Sequence, residues 1–535
     1  MGMAALVGCL WALPFLFTAF AGIAWFIPMI LLLIAGSSSR FNHFQMGYVI
    51  GLYFNLIALY WLLFIPVRVG AISGWLVLSA YCALYPAAWV YFCWRMLPSP
   101  KKPFQNPALF SELLNRLNAM TWLQRQLWAL VGAISWTSAE MLQAHLLTGF
   151  PWNLLAISQV EMLPLIQLAS FTGVYGVSFL VAWVSLTLGL AIASIAAQPG
   201  QPWIWWGRDI LPAGVILLVV WALGFQRIQN APPTSQRLRV ALIQPSVSQM
   251  IIWEGSQKEE RFKELLRLSE AALALQPDLL IWPESGLPSG LEAPERVAQF
   301  VRENQLPLIF NEVDHSVRPD ATEPLYYNAA FLMNQDGEIV DRAHKHQLVM
   351  FGEYTPLAKT FPILGSLSPV GTGFARGEKP GILKIDELSV TVGILICFED
   401  AFPSLAREAA QRNPDFLVNL TNDAWFGDSK AQWQHARGAA FRAIENNLPL
   451  VRCTNNGITC WIDSYGRIQV GDIDSPDDVY KKGFKVIGVP IQHPAASNET
   501  RYRQDGDLFG WSCVSISLAL LLVRELFRLR GSSYV

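Results

Sequence analysis

Apolar residues dominate the chain in helix-length runs up to about position 226, give way to mixed patterning, and return once near the C-terminus. A helix needs about 20 predominantly apolar residues to cross a bilayer core. Runs at roughly 4–20, 22–36, 46–65, 73–94, 126–145, 165–195, 209–226 and 508–523 meet or approach that length. They predict an eight-helix α-helical transmembrane bundle. The first two runs are short and closely joined, so a hairpin is the alternative there. The sixth is long enough to protrude or kink, and the last can extend into Arg524–Phe527. No Asp or Glu precedes Glu112, as lipid burial demands.

Between the seventh and eighth runs the period changes. Arg239-Val240-Ala241-Leu242-Ile243 reads as a buried strand, and 255–275 as a helix with Leu265, Leu266, Leu268 and Ala272 on one face, closed by Pro277. Strand signals follow at Asp278 to Trp282, Pro307–Phe310, 326–342 (paired about the turn Gln335-Asp336-Gly337), Val390–Ile396, 416–420, 449–453 and 458–464. Helical patterns near 292–304, 403–411 and 430–447 separate them. Such alternation implies layered α/β packing. The expected domains are a membrane part at 1–227, a water-soluble block at 228–507, and a final helix with a basic tail at 508–535.

Composition sharpens this picture. The 535-residue chain is 53% hydrophobic and 15% charged, with 21 Trp, and its mean hydropathy is +0.32. Ordinary soluble domains carry about 25% charged residues, so much of the surface must face lipid. A net charge of −2 offers no basic patch, and no nucleic-acid partner is expected. Positive charge sets orientation. Arg40, Lys101, Lys102, Arg116, Arg125, Arg208, Arg524, Arg528 and Arg530 fall on one side of the eight-span reading, while the short opposite loops carry Arg68 and none in 146–164. That places both termini in the cytoplasm and the block 228–507 outside it, on the periplasmic side of an inner membrane. Trp203, Trp205 and Trp206 suit an interfacial belt.

The seven cysteines show no metal-ligand spacing. Cys453 and Cys460 read as strand core, a disulfide between them being the alternative. Leu6-Val7-Gly8-Cys9 superficially suggests a lipoprotein processing site, but it lacks the preceding basic and apolar regions, and Cys9 reads as part of a span.

Three segments of the block carry chemistry. Cys397 ends an apolar strand in Ile396-Cys397-Phe398-Glu399; taken alone it reads first as a buried structural thiol. As a nucleophile it needs a base or cation to lower a free pKa of about 8.5. Glu284 ends another strand in Trp282-Pro283-Glu284, where partial desolvation suits a general base, a capping or solvated role being the alternative. Strand ends on one sheet edge gather in space, so the two can meet. Lys345, upstream of Phe351-Gly352-Glu353, could stabilise a tetrahedral oxyanion or sit solvated at the surface. His344 and His346 flank it without a third spaced ligand, so no metal is expected.

Together these segments resemble the nitrilase superfamily, whose Glu-Lys-Cys triad lies in a four-layer αββα sandwich. The likeness extends along the chain to the apolipoprotein N-acyltransferase family. It is carried by Thr148-Gly149-Phe150-Pro151-Trp152, Gln244 to Trp253, Tyr327-Asn328, Phe351-Gly352-Glu353, the run Asn422 to Asp428, and Thr454-Asn455-Asn456-Gly457. The resemblance implies transfer of an acyl chain from a phospholipid to the free α-amino group of a lipoprotein's N-terminal diacylglyceryl-cysteine, without a cofactor. Glu284 would be the base, Lys345 the oxyanion stabiliser and Cys397 the nucleophile, with Glu353 and Glu399 as accessory carboxylates. Trp253, Asn328, Phe398, Trp425 and Phe426 match substrate-contacting positions, ordinary packing being the other reading.

The chain departs from the family pattern at Gln347, Met350, Phe398 and Gln143, where the family carries His, Pro, Tyr and Arg. Glu140 could meet a head group or pair inside the bundle. A membrane-tethered amidase that hands its thioester to water is the rival reading. The membrane has a physical rationale. Exposing an acyl chain of about 15 CH₂ groups at roughly 0.8 kcal/mol each would cost on the order of 12 kcal/mol. A site reached sideways from the bilayer avoids that penalty.

Overall fold

The computed structural model describes residues 1–36, 41–98, 111–197, 200, 202–232, 236–288, 293–316, 324–356, 360, 373–470, 479–491 and 499–532. Arg40, Lys101 and Lys102, part of the charge asymmetry above, lie outside the described residues. The chain divides into two compact units. One comprises Met1–Tyr60, Trp75–Asn230 and Asp505–Val535; the other comprises Trp61–Gly74 and Ala231–Gln504.

The first unit is helical. Capping boxes at Asn42/Gln45 and Thr121/Gln124 start the helices His43–Ala58 and Trp122–His145, each satisfying two backbone N–H groups that would otherwise lack partners. Four described helical stretches are long and apolar enough to cross a membrane: Arg68–Arg95, Val174–Ala196, Trp203–Gln229 and Leu508–Arg528. A fifth arises if Thr18–Trp25 and Ile27–Ala35, bent by 53°, form one span. The expected continuous helix at 22–36 is therefore broken, its first half being 3-10 helix. The expected run 165–195 also divides. Gly173, at φ +68, adopts a conformation natural only to glycine, and the long helix starts at Val174.

Several buried polar groups of this unit are paired. Arg125 bonds Asp209, and Ser194 Oγ donates to the same carboxylate at 2.7 Å. Glu140 is buried; its Oε1 accepts from Trp136 Nε1 at 2.9 Å and from the Leu155 amide at 2.7 Å. Of the two readings of Glu140, the structure shows the pairing inside the bundle. Gln143, the departure from Arg, donates to the Phe150 carbonyl at 3.1 Å and holds the 148–152 motif.

The second unit contains two six-stranded sheets. One runs β12-β1-β2-β3-β4-β5 and the other β11-β10-β9-β8-β7-β6. The strands are β1 (Arg237–Gln244), β2 (Leu279–Ile281), β3 (Leu308–Ser316), β4 (Leu325–Met333), β5 (Ile339–His344), β6 (Ile382–Ile385), β7 (Val390–Ile396), β8 (Phe416–Thr421), β9 (Leu450–Thr454), β10 (Cys460–Ile462), β11 (Ile468–Gln469) and β12 (Gly483–Pro490). Side-chain alternation separates two cores. Val240, Leu242, Leu279 and Ile281 meet Val392, Ile394, Ile396, Val418 and Leu420 between the sheets. Ala241, Ile243, Leu280 and Trp282 face the opposite way, onto Phe262, Leu265 and Leu268 of α1 (Lys258–Leu273) and Val297 and Val301 of α2 (Ala293–Asn304).

Helices α3 (Pro403–Ala410) and α4 (Ala431–Asn446) cover the other sheet, packing on β7 and β9. The result is the four-layer αββα order of a nitrilase-like domain. Cys453 and Cys460 are free and buried, as strand core.

Candidate active site

The site grows from strand ends. β1, β2 and β3 run parallel, as do β7, β8 and β9, so their carboxyl ends share one edge of each sheet. Open α/β sheets bind ligands at that edge. Glu284 follows β2 and Cys397 follows β7, while Lys345 immediately follows β5. The Lys345 amide donates to the Asn328 carbonyl at 2.8 Å, which ties the lysine to β4.

The three expected groups converge. Lys345 Nζ lies 2.8 Å from Glu353 Oε1 and 3.4 Å from Glu284 Oε1, with only 1% of the residue exposed. Asn328 Nδ2 donates at 2.9 Å to the same oxygen of each carboxylate. Asn328 Oδ1 accepts in turn from Asn311 Nδ2 at 2.6 Å, and Asn311 Oδ1 accepts from the Ser285 amide at 3.1 Å. Glu284 Oε2 is buried and has no hydrogen-bond partner among the described residues. It is an acceptor left over for a proton.

Burial alone would lower the lysine's pKa. The charges of Glu284 and Glu353, with Cys397, outweigh it and hold the ammonium well above the ordinary lysine range. The Cys397 thiol is pushed well up, chiefly by burial and then by Glu284; Lys345 and a hydrogen bond with Thr421 act against this.

Cys397 sits at φ +53, in the left-handed region that non-glycine residues enter at a cost. Asn419 Nδ2 donates to its carbonyl at 2.9 Å. Glu399 braces the same turn. Its Oε2 accepts from the Ile396 amide at 2.7 Å, and its Oε1 from the His346 and Gln347 amides at 2.6 and 2.9 Å. Burial pushes the Glu399 carboxyl up to about 7, against those amides and the charge of Lys345.

The carbon-nitrogen hydrolase family profile matches residues 239–480, and that of the apolipoprotein N-acyltransferase N-terminal domain matches 7–187. An apolipoprotein N-acyltransferase from Geobacter metallireducens is 35% identical over 96% of this chain and 93% of its own. The chain belongs to the apolipoprotein N-acyltransferase family. Further members from Brucella melitensis (32% identity, 69% of this chain and 70% of its own) and Bradyrhizobium diazoefficiens (33%, 78% and 76%) are also similar.

Three of the segments that carry the resemblance form one lattice. Asn422 Nδ2 donates to Gln249 Oε1, and Asn455 Nδ2 to Asn422 Oδ1, both at 2.9 Å. Asn455 Oδ1 accepts from the Val247 amide at 3.1 Å. The lattice fixes the short turn Asp423–Phe426. There Trp425 meets the half-exposed Trp253 edge to face at 5.3 Å, and Phe426 meets Trp61 at 4.6 Å. Trp61 Nε1 donates to Gln434 Oε1 at 3.1 Å.

Phe398 packs on Phe402 at 5.0 Å and against the inter-sheet core. Gln347 meets Glu399 through its backbone, so that contact survives the change from the family's His. His344 pairs with Asp314 at 2.6 Å and stacks on Tyr327. Met350 is partly exposed.

Proposed function

We propose that this enzyme takes an acyl chain from a phospholipid onto Cys397 and passes it to the α-amino group of a lipoprotein's N-terminal diacylglyceryl-cysteine. The observation that carries the reading is the buried ammonium held between two carboxylates beside a strand-end thiol. Glu284, through its unpartnered Oε2, takes the Cys397 proton as sulfur attacks the ester carbonyl. The oxyanion is met by the Lys345 ammonium and backbone N–H groups, at a point where charge develops in a dry site. The lysophospholipid leaves with the proton, and a thioester remains. The acceptor amine then attacks the thioester carbonyl, the carbon–sulfur bond breaks, Glu284 passes the amine's proton to the departing Cys397 sulfur, and the amide product leaves. Glu353 and Asn328 hold the lysine; Glu399 holds the nucleophile turn.

Trp253, Trp425, Phe426 and Phe398 line the approach in this reading, and Trp425 with Phe426 gates it. Eight crossings follow if Gly2–Leu16, the bent pair and His43–Ala58 are counted with the longer helices and Trp122–His145. The block 228–507 then faces the periplasm from the inner membrane.

Mass spectrometry of the purified enzyme with phospholipid, before and after a diacylglyceryl-cysteine peptide, tests the pathway. The expected result is one acyl mass on the Cys397 peptide, discharged onto the acceptor amine. Fatty-acid release to water without transfer supports the amidase reading instead. Rates unchanged in both half-reactions on Trp425→Ala and Phe426→Ala would reduce that turn to packing.

A further inference from the structure

A second ionic cluster lies behind the nucleophile, built from residues the pathway above does not use. Asp400 is three residues past Cys397, in the same turn. Asp423 opens the turn that carries Trp425 and Phe426. His435, on α4, stands between them, with Nδ1 2.9 Å from Asp423 Oδ1 and Nε2 in ion-pair contact with Asp400 Oδ1 at 2.7 Å. Arg452, on β9, bonds Asp400 and approaches Asp423 Oδ2 at 3.7 Å. All four side chains are at most 2% exposed.

Buried charges need compensation. Two carboxylates and one guanidinium leave one negative charge over, and His435 faces one carboxylate with each ring nitrogen. The cluster reaches the sulfur through Thr421. Its hydroxyl lies 3.4 Å from Asp423 Oδ1 and also hydrogen-bonds the Cys397 side chain. Among the described residues, Glu284, Lys345, Asp423 and Arg452 act electrostatically on that sulfur or it on them.

We propose that His435 is a positioning residue for the nucleophile, cross-bracing the Cys397–Ala401 turn to the Asp423–Phe426 turn and cancelling the Asp423 charge that would oppose the thiolate. The proposal rests on Cys397 being the nucleophile. Its test needs no lipoprotein, so failure of acyl transfer and failure of this brace are separable.

The experiment is alkylation of Cys397 by iodoacetamide in the full-length enzyme in micelles, followed by peptide mass against pH. His435→Gln removes the ring that faces Asp423 Oδ1 and leaves Asp423 with Arg452 at 3.7 Å. Its alkylation midpoint is expected to rise by about one pH unit, making it roughly tenfold slower at pH 8. Asp423→Asn removes the opposing charge and is expected to lower the midpoint, the opposite sign. An unchanged midpoint in a folded His435→Gln enzyme overturns the proposal, as does a rise in both variants. If His435→Gln does not fold, Asp423→Asn decides alone: a fall supports the brace, and a rise or no change overturns it.

Discussion

At the residue scale, one oxygen organises the site. Glu353 Oε1 accepts from both Lys345 and Asn328, while its Oε2 accepts from the Val349 amide at 2.9 Å. Glu353→Gln keeps the shape but removes one of the two charges that hold the ammonium. The lysine is then free to swing, and turnover should fall by about 10²-fold with KM for phospholipid little changed; steady-state kinetics in mixed micelles measure both. Glu399 predicts a pH effect of definite sign. Its carboxyl is raised to about 7 from an ordinary 4.5, so its contribution to stability is fully present below 4.5 and is lost as pH rises through 7. Glu399→Gln has no such dependence. The melting-temperature advantage of the parent over the variant should therefore shrink between pH 5 and pH 8 in thermal unfolding.

At the scale of elements, Gly457 shows how closely two loops meet. It sits at φ +145, and a Cβ there would lie 2.6 Å from Asp423 Oδ2. Gly457→Ala should cost about 1–3 kcal/mol and lower the melting temperature. Gly438, mid-helix in α4 with nothing within 4 Å of an added Cβ, is the matched control. Gly438→Ala should raise stability by about 0.5–1 kcal/mol.

Elements whose patterning was local were legible in the chain: β7 and β8 are short apolar runs bounded by turn residues, and α1 shows one apolar face closed by a proline. β12 was not read. Gly483, Gly488 and Pro490 weaken its strand character, and its partner β1 lies far away in sequence. The convergence of Glu284, Lys345 and Cys397 was legible because each follows a strand end. Asn311 was missed, although a polar residue inside the apolar run of β3 was its available signal. His435 and Arg452 carried none, since a basic residue in a helix or strand ordinarily reads as a solvated face.

At the scale of the whole molecule, the charge asymmetry of the connections makes the remaining prediction. Cysteines placed at the exposed Asp336 and Arg528, in a background cleared of reactive thiols, should respond differently to an impermeant maleimide applied to spheroplasts. The first should label at once and the second only after permeabilisation. Labelling of both, or of Arg528→Cys alone, would reverse the orientation and the side from which lipoproteins approach.

The burial of Lys345 between Glu284 and Glu353 has one more outcome. A thioester reacts with amines, and the Lys345 amine lies within electrostatic range of Cys397. Held protonated far above neutrality, its nitrogen carries no lone pair and cannot capture the acyl chain. In the proposed pathway, the carboxylates that position the lysine would also keep the enzyme from acylating itself, leaving the intermediate for the amine that arrives from outside.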